Sequence, residues 1–388
     1  MSSFSKIMLS QSNFLFPEIN IKDVPVIKAH VGDSLSVLEM CKRTKLLLNC
    51  VGPYNLYGGE MIVSNCIQCK THYIDISAEI KYLDTVQANY FNVAREKGVY
   101  IIEACGLGSL PTDYGIALLM KKFPGGLESV EYFIEFIAGS QRMTTGYGTY
   151  LSGVHSIIDY FNSSEYRKQV EASVFRKKIT DTSDSVTSYI KKFPEKGGGN
   201  SWCLKYLGVD VRNIKRSQMF RANYLNNESY IKFLGYLKLP FYEALVHIWI
   251  FFVVCFLSYF MLGRSLLEKY PSFFTVGKFT RTGPTRQQVL ETSTKIIFYA
   301  KGWKNKTSDS TNKIPEPDKK MKLTIIGPEP AYSLTAMCMV QSGLTVLFEQ
   351  EKIPLEGGVY TPGVAFENTT LQERLEKRGM TFTFEEIL

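Results

Sequence analysis

Four histidines occur in 388 residues, and His30, His72, His155 and His247 fall in separate segments, so no metal site can be assembled from their spacing. Eight cysteines stand at 41, 50, 66, 69, 105, 203, 255 and 338. That scatter, with no cleavable signal peptide in view, excludes a disulfide framework and sets a reducing, cytosol-facing location as the expectation. Cys66 and Cys69 form a lone CIQC with no second pair and no histidine at zinc-ligand spacing. It lies on a helix-like stretch, which argues against a metal or redox role. No glycine-rich phosphate loop precedes residue 26.

What is present describes a folded protein. Hydrophobic residues make up 45% of the chain and charged residues 21%, which excludes disorder and allows two domains or one large decorated one. A formal net charge of +8 favours an anionic environment such as a lipid surface, a nucleotide or nucleic acid. Basic residues are dense between Arg212 and Lys238, directly before the most apolar run, a placement that suits anionic lipid better than a nucleic-acid groove.

Residues 1–25 have no clear period and read as an irregular lead-in. PVIKAHV, from residue 25, reads as a short strand, and Asp33 as the N-cap of a helix carrying Leu35, Leu38 and Cys41 on one face. Strand 45–51, helix 60–70, strand 73–77, helix 82–97 and strand 99–105 follow in alternation. The strands are nearly continuous apolar runs, as in a parallel sheet covered on both faces. LLLNCVGPYNLYGGE at 46–60 and GLGSLPTDYG at 106–115 each carry a strand end or loop into a helix, so both loops could line one crevice at the sheet's carboxyl edge.

Beyond residue 127 the pattern becomes α+β. Ala244 to Leu262, ALVHIWIFFVVCFLSYFML, would extend about 28 Å as a helix, near the thickness of a hydrocarbon core. A span, a monolayer-embedded segment and a buried core helix all fit its length; aromatic and basic flanks favour lipid. The expected organisation is a lead-in at 1–25, a truncated Rossmann-like domain at 26–127, an α+β substrate or dimerisation domain at 128–243 and the hydrophobic segment at 244–262. Residues 263–388 supply an amphipathic segment, a mobile loop at 303–320 and a return to the α/β core.

LLNCVGPYNLYGGEMIVSNCIQCKTHYIDISAE, EKGVYIIEACGLGSLPTDYG, GRSLLEKYPSFFTVGKFTRTGPTRQQ and GGVYTPGVAFENTTLQERLEKRGMTFTF together resemble the saccharopine dehydrogenase-like oxidoreductases, which are similar to trans-acting enoyl reductases. The resemblance implies a Rossmann-like parallel sheet plus a second α+β domain, NAD(P) as cofactor and a possible homodimer. It also implies a lipid droplet, mitochondrion or other intracellular membrane as location, with work in lipid or glycolipid metabolism. By similarity Val51, Gly52, Pro53, Tyr54, Asp75 and Gly106 would meet the cofactor, with Tyr54, Asp75 and Glu79 positioning; no metal, nucleic acid or catalytic residue is implied. Two departures follow. The family opens on a GASGFTG-type loop that is missing here, which predicts impaired dinucleotide binding or an inactive, truncated relative acting as a binding or dimerisation module. Where relatives carry GFDSIP this chain has GLGSLP, so Gly108 replaces a carboxylate.

Overall fold

The computed structural model describes residues 24–162, 164–175, 188–194, 201–227, 230–305 and 315–387. The expected lead-in therefore lies almost wholly outside the described residues, as do 306–314 of the expected mobile loop.

The first half alternates as its sequence indicates. Helix α1 (Ser34–Cys41) is capped by Asp33, whose carboxylate accepts from the amides of Leu35 and Ser36. Strand β1 (Leu46–Asn49), helix α2 (Gly59–Gln68), β2 (His72–Asp75), α3 (Ile80–Glu96), β3 (Tyr100–Ile102) and α4 (Leu110–Lys122) follow. The long β4 (Leu127–Ile137) opens the second half, then come β5 (Thr145–Gly146), α5 (Tyr147–Asn162), α6 (Ser164–Val174), β6 (Ile190–Lys192) and β7 (Ser201–Lys205). Helix α7 (Val209–Tyr224), β8 (Lys232–Pro240), α8 (Phe241–Ser258), α9 (Met261–Lys269), α10 (Pro271–Phe274), β9 (Phe279–Thr280) and α11 (Arg286–Glu291) continue the chain. It closes with β10 (Ser293–Gly302), β11 (Lys319–Gly327), a π-turn at Pro330–Leu334, α12 (Thr335–Phe348), β12 (Gly358–Tyr360), α13 (Pro362–Ala365), α14 (Leu371–Glu376) and β13 (Thr381–Ile387).

Two sheets carry the architecture. The parallel sheet runs β1-β2-β3-β12, so a strand from the far end of the chain completes it beside β3. The mixed sheet runs β13-β11-β10-β4-β8-β7-β6, with β4 and β8 its parallel pair. One continuous apolar core joins the parallel sheet to the inner face of the mixed one. Helix α4 sits at that junction and is buried from Leu110 to Leu119. Gly115 lets it approach closely, because a Cβ there would stand 2.7 Å from the Phe298 ring of β10.

Three expectations need correction. PVIKAHV is exposed irregular chain, with Val26 91% accessible, because among the described residues no strand pairs with it or with the outer edge of β1. The 303–320 loop is tethered at its start, where Trp303 exchanges backbone hydrogen bonds with Gly125 and Gly126, and β11 already begins at Lys319. The basic run from Arg212 turns inward: Arg212, Arg216 and Arg221 are 8%, 1% and 4% exposed and are paired inside the protein. Half of the run's six cations thus serve the core, and Lys232 stands exposed.

Candidate active site at the strand tips

The carboxyl ends of β1, β2 and β3 converge, as doubly wound sheets require of a ligand crevice. After β1 the chain turns through Cys50, Val51 and Gly52, all exposed, and a cis Gly52–Pro53 bond. Pro53 and Tyr54 are buried. The Tyr54 ring stacks on Tyr82 at 5.2 Å, its hydroxyl donates to the Asn49 carbonyl (2.8 Å), and burial raises its phenol pKa far above the ordinary value. Gly52 packs closely here, a Cβ at that position standing 3.2 Å from the Tyr54 ring. Beneath, Asn49 donates to the Tyr73 hydroxyl (2.9 Å), which bonds the Tyr82 hydroxyl (2.9 Å).

The acids at the tips face inward. Asp75 is fully buried; its Oδ1 accepts from the amides of Ala104 (2.8 Å) and Ser77 (3.1 Å), while Oδ2 has no partner. Burial pushes its carboxyl up to about 6 against the pull of those amides. Glu79 is also buried and accepts from the amides of Tyr54 (2.8 Å) and Asn55 (3.0 Å) and from the Ser152 hydroxyl of α5 (3.1 Å). Gly106 lies under Thr335 at the start of α12: a Cβ would stand 2.9 Å from Thr335 Cγ2, and the Leu107 amide donates to Thr335 Oγ1. Of the six expected cofactor residues, the structure therefore leaves Val51 and Gly52 open at the tips and places Pro53, Tyr54, Asp75 and Gly106 as internal supports.

Behind the tips is a polar layer that sequence reading missed. Helix α7 is buried along most of its length although it carries three arginines. Arg212 pairs with Asp84 (2.7 Å) and Glu171, Arg216 with Glu103 (2.8 Å) and Gln87 (2.7 Å), and Arg221 with Glu367 (3.0 Å) and the Gly363 carbonyl (2.9 Å). Asp113 of α4 accepts from Ser217 (2.7 Å) and from the Gly363 amide (2.7 Å). Burial drives the Glu103 carboxyl up to about 8, with Arg216 opposing the shift. The spacing of four puts Arg212 and Arg216 near one face of the helix while Arg221 points to the other; their acidic partners come from four distant segments.

The comparisons bear on what this geometry descends from. No family model matches the chain. The saccharopine dehydrogenase-like oxidoreductase of Mus musculus is 33% identical over 368 residues, covering 93% of this chain and 82% of that one. The chain belongs to the saccharopine dehydrogenase-like oxidoreductases. A lipid droplet localized protein of Caenorhabditis elegans is 29% identical over 373 residues, with 94% and 85% of the two chains covered. A trans-acting enoyl reductase of Mycobacterium bovis is 31% identical over 103 residues, 26% of this chain and 24% of that one. Among solved structures, apo saccharopine dehydrogenase (L-Glu forming) from Saccharomyces cerevisiae superposes with a TM-score of 0.51 at 13% identity, covering 98% of this chain and 92% of that one. That likeness is one of fold: a parallel α/β sheet joined to a mixed sheet.

Whether this member's described residues fit a dinucleotide can be asked of the tips directly. A diphosphate is held by free amides of a glycine loop at a helix N-terminus. Here the Tyr54 and Asn55 amides are taken by Glu79, that of Ala104 by Asp75 and that of Leu107 by Thr335. Gly59 opens α2, but a Cβ there would lie 2.6 Å from Tyr82, so this glycine serves packing, and Glu60 puts a negative charge in the first turn. The described residues do not fit a diphosphate.

Proposed function

We propose that this oxidoreductase relative works at a lipid surface, on a lipid droplet or another intracellular membrane including that of the mitochondrion. Its field is lipid or glycolipid metabolism, with NAD(P) binding impaired at the described strand tips. The observation that carries the lipid reading is the outward face of α8. Buried Ala244, Val254 and Ser258 fall on one side of this helix, while Phe241, Tyr242, Leu245, Trp249, Phe252 and Phe256 stand exposed on the other. The apolar surface continues through the turn into α9, where Tyr259, Met261 and Leu262 are 83%, 84% and 75% accessible. Contiguous apolar surface of this kind marks an interaction site. The name of the Caenorhabditis elegans relative supports a lipid partner.

The mode of contact follows from where the helix is anchored. Val254 packs with Tyr150 and Val154 of α5 and Leu267 of α9 in a small core of its own. Pro240 of β8 enters α8, and α9 and α10 lead back to β9, which pairs with β5. Both ends of the segment thus return to one folded body, which supports a wedge in a single leaflet over a membrane crossing. Among the described residues the ion pair on α8 sits at its entry, Glu243 with Lys278 at 2.5 Å, and no Asp, Glu, Lys or Arg follows until Arg264. Helix α5 touches both the wedge and the Glu79 brace of the strand tips, so lipid contact and crevice share one element.

A second reading, a membrane-bound binding or dimerisation module without redox activity, is favoured by the occupied amides at the tips. Titration of the purified chain with NADPH and NADH addresses it: no saturable binding below about millimolar is expected, and a Kd on the order of micromolar would overturn the impairment. For the wedge, the probe is triolein droplets coated with phosphatidylcholine. The unaltered chain should float with them, and M261E/L262E, which changes two exposed positions, should lose at least tenfold in the bound fraction. Equal flotation of the two would remove the lipid assignment.

A further inference from the structure

Helices α1 and α2 meet over a pair of thiols. Cys41 ends α1 and Cys66 lies in the third turn of α2; both are fully buried and their Sγ atoms stand 3.6 Å apart, one thiol donating to the other. A third thiol, Cys69, follows Cys66 at a helical i+3 spacing, contacts the Leu38 carbonyl of α1 at 3.7 Å and is partly exposed. The backbone beneath is fixed, because the Thr71 hydroxyl donates to the Cys41 carbonyl at 2.8 Å. Among the described residues no group of three or more histidine, cysteine or acidic side chains is arranged to hold a metal. What remains open to these thiols is chemistry with one another.

The geometry favours it. A disulfide has an S–S length of about 2.05 Å, so the sulfurs, at 3.6 Å, need to approach by about 1.5 Å. The thiol–thiol hydrogen bond lowers the pKa of Cys41, and the same bond with burial raises that of Cys66; burial also raises that of Cys69, so it is exposure and not ready ionisation that makes Cys69 the point of entry.

We propose that Cys41 and Cys66 are an oxidisable dithiol, converted by hydroperoxides that enter at Cys69 into an intrachain disulfide tying α1 to α2. The Cys69 thiolate attacks a peroxide oxygen, the O–O bond breaks, and a sulfenic acid and hydroxide result. The Cys41 thiolate then forms a bond to the Cys69 sulfur and expels hydroxide. The Cys66 thiolate attacks the Cys41 sulfur and releases the Cys69 thiolate. Two thiols have lost two electrons and two protons, and hydrogen peroxide has become two waters. Since only a short turn at 42–45 separates α1 from β1, the bridge would tie the chain that enters β1 to α2, the helix that follows the Val51 and Gly52 tip.

The test uses the full chain, reduced with dithiothreitol and then exposed to hydrogen peroxide. Thiol titration should fall by two, and tandem mass spectrometry of the digest should place the bridge between Cys41 and Cys66, reversibly on reduction. Oxidation should raise the Tm of the unaltered chain and leave that of C41S and C66S unchanged. C69S should form the same bridge at least tenfold more slowly. A final bridge to Cys50 or Cys69, overoxidation with no bridge, or a C69S variant oxidised at the original rate would each overturn the proposal.

Discussion

At the scale of single residues, the carboxylates nearest the strand tips brace loops from within. Asp75 is the clearest case, and its burial has a thermodynamic signature. In the unfolded chain this carboxyl loses its proton near 3.8, whereas in the folded protein it keeps it to about 6. Between those values the folded state binds more proton, so the Asp75 contribution makes stability fall as pH rises through the window and level off above it. At about 1.4 kcal/mol per unit, the loss is about 3 kcal/mol. Replacing Asp75 with Asn, which keeps an oxygen for the Ala104 and Ser77 amides, should flatten the fall between pH 4 and 6. Urea unfolding at a series of pH values checks this; an unchanged slope would show that the carboxyl is solvated. Gly106 teaches the same lesson. The family resemblance turns it toward a cofactor, yet the atom that requires a glycine there is Thr335 Cγ2.

At the scale of elements, α7 is the one whose sequence misleads most. Read by composition, its arginines suit an anionic surface; in the fold they join α3, α6, β3's end and the chain after α13 through buried ion pairs. Removing Arg216 leaves the Glu103 carboxyl buried and without its partner; since burial already holds it up to about 8, it takes up a proton, and the cost is that of an unsatisfied buried polar group, about 1–3 kcal/mol. Arg216→Met should therefore lower the urea midpoint, and the double change R216M/E103L should recover most of the loss. If the double variant is as unstable as the single one, the pair is not what holds α7 in place. The hydrophobic helix α8 shows the opposite balance. Its existence was legible from 19 uninterrupted uncharged residues at 244–262, but its bounds were not, since the helix runs Phe241–Ser258 and breaks before α9 begins at Met261; nor was the buried stripe, because periodicity is weak where nearly every position is apolar.

At the scale of the whole molecule, the α/β class and the order of the first four helices and three strands could be read from apolar runs and loop glycines. Long-range pairing could not. PVIKAHV has the composition of a strand and is irregular where no strand among the described residues lies beside it, since a strand is made by its partner as much as by its residues. The Cys41–Cys66 contact was equally hidden, because it depends on how two helices cross and on no motif in either. The strand tips were legible as a crevice, but the inward turn of Asp75 and Glu79 was set by amides that folding alone brings together.

Strand β12 pairs Gly358 with Tyr100 and Tyr360 with Ile102, so the sheet begun by the first hundred residues is finished by some of the last. During synthesis, β3 must wait with an unpaired edge while the ribosome makes every strand of the mixed sheet but β13. Closing so wide a loop is slow. Until residue 360 emerges, the nascent chain carries a bare β3 edge beside an incomplete core, and that interval is when it most needs a chaperone.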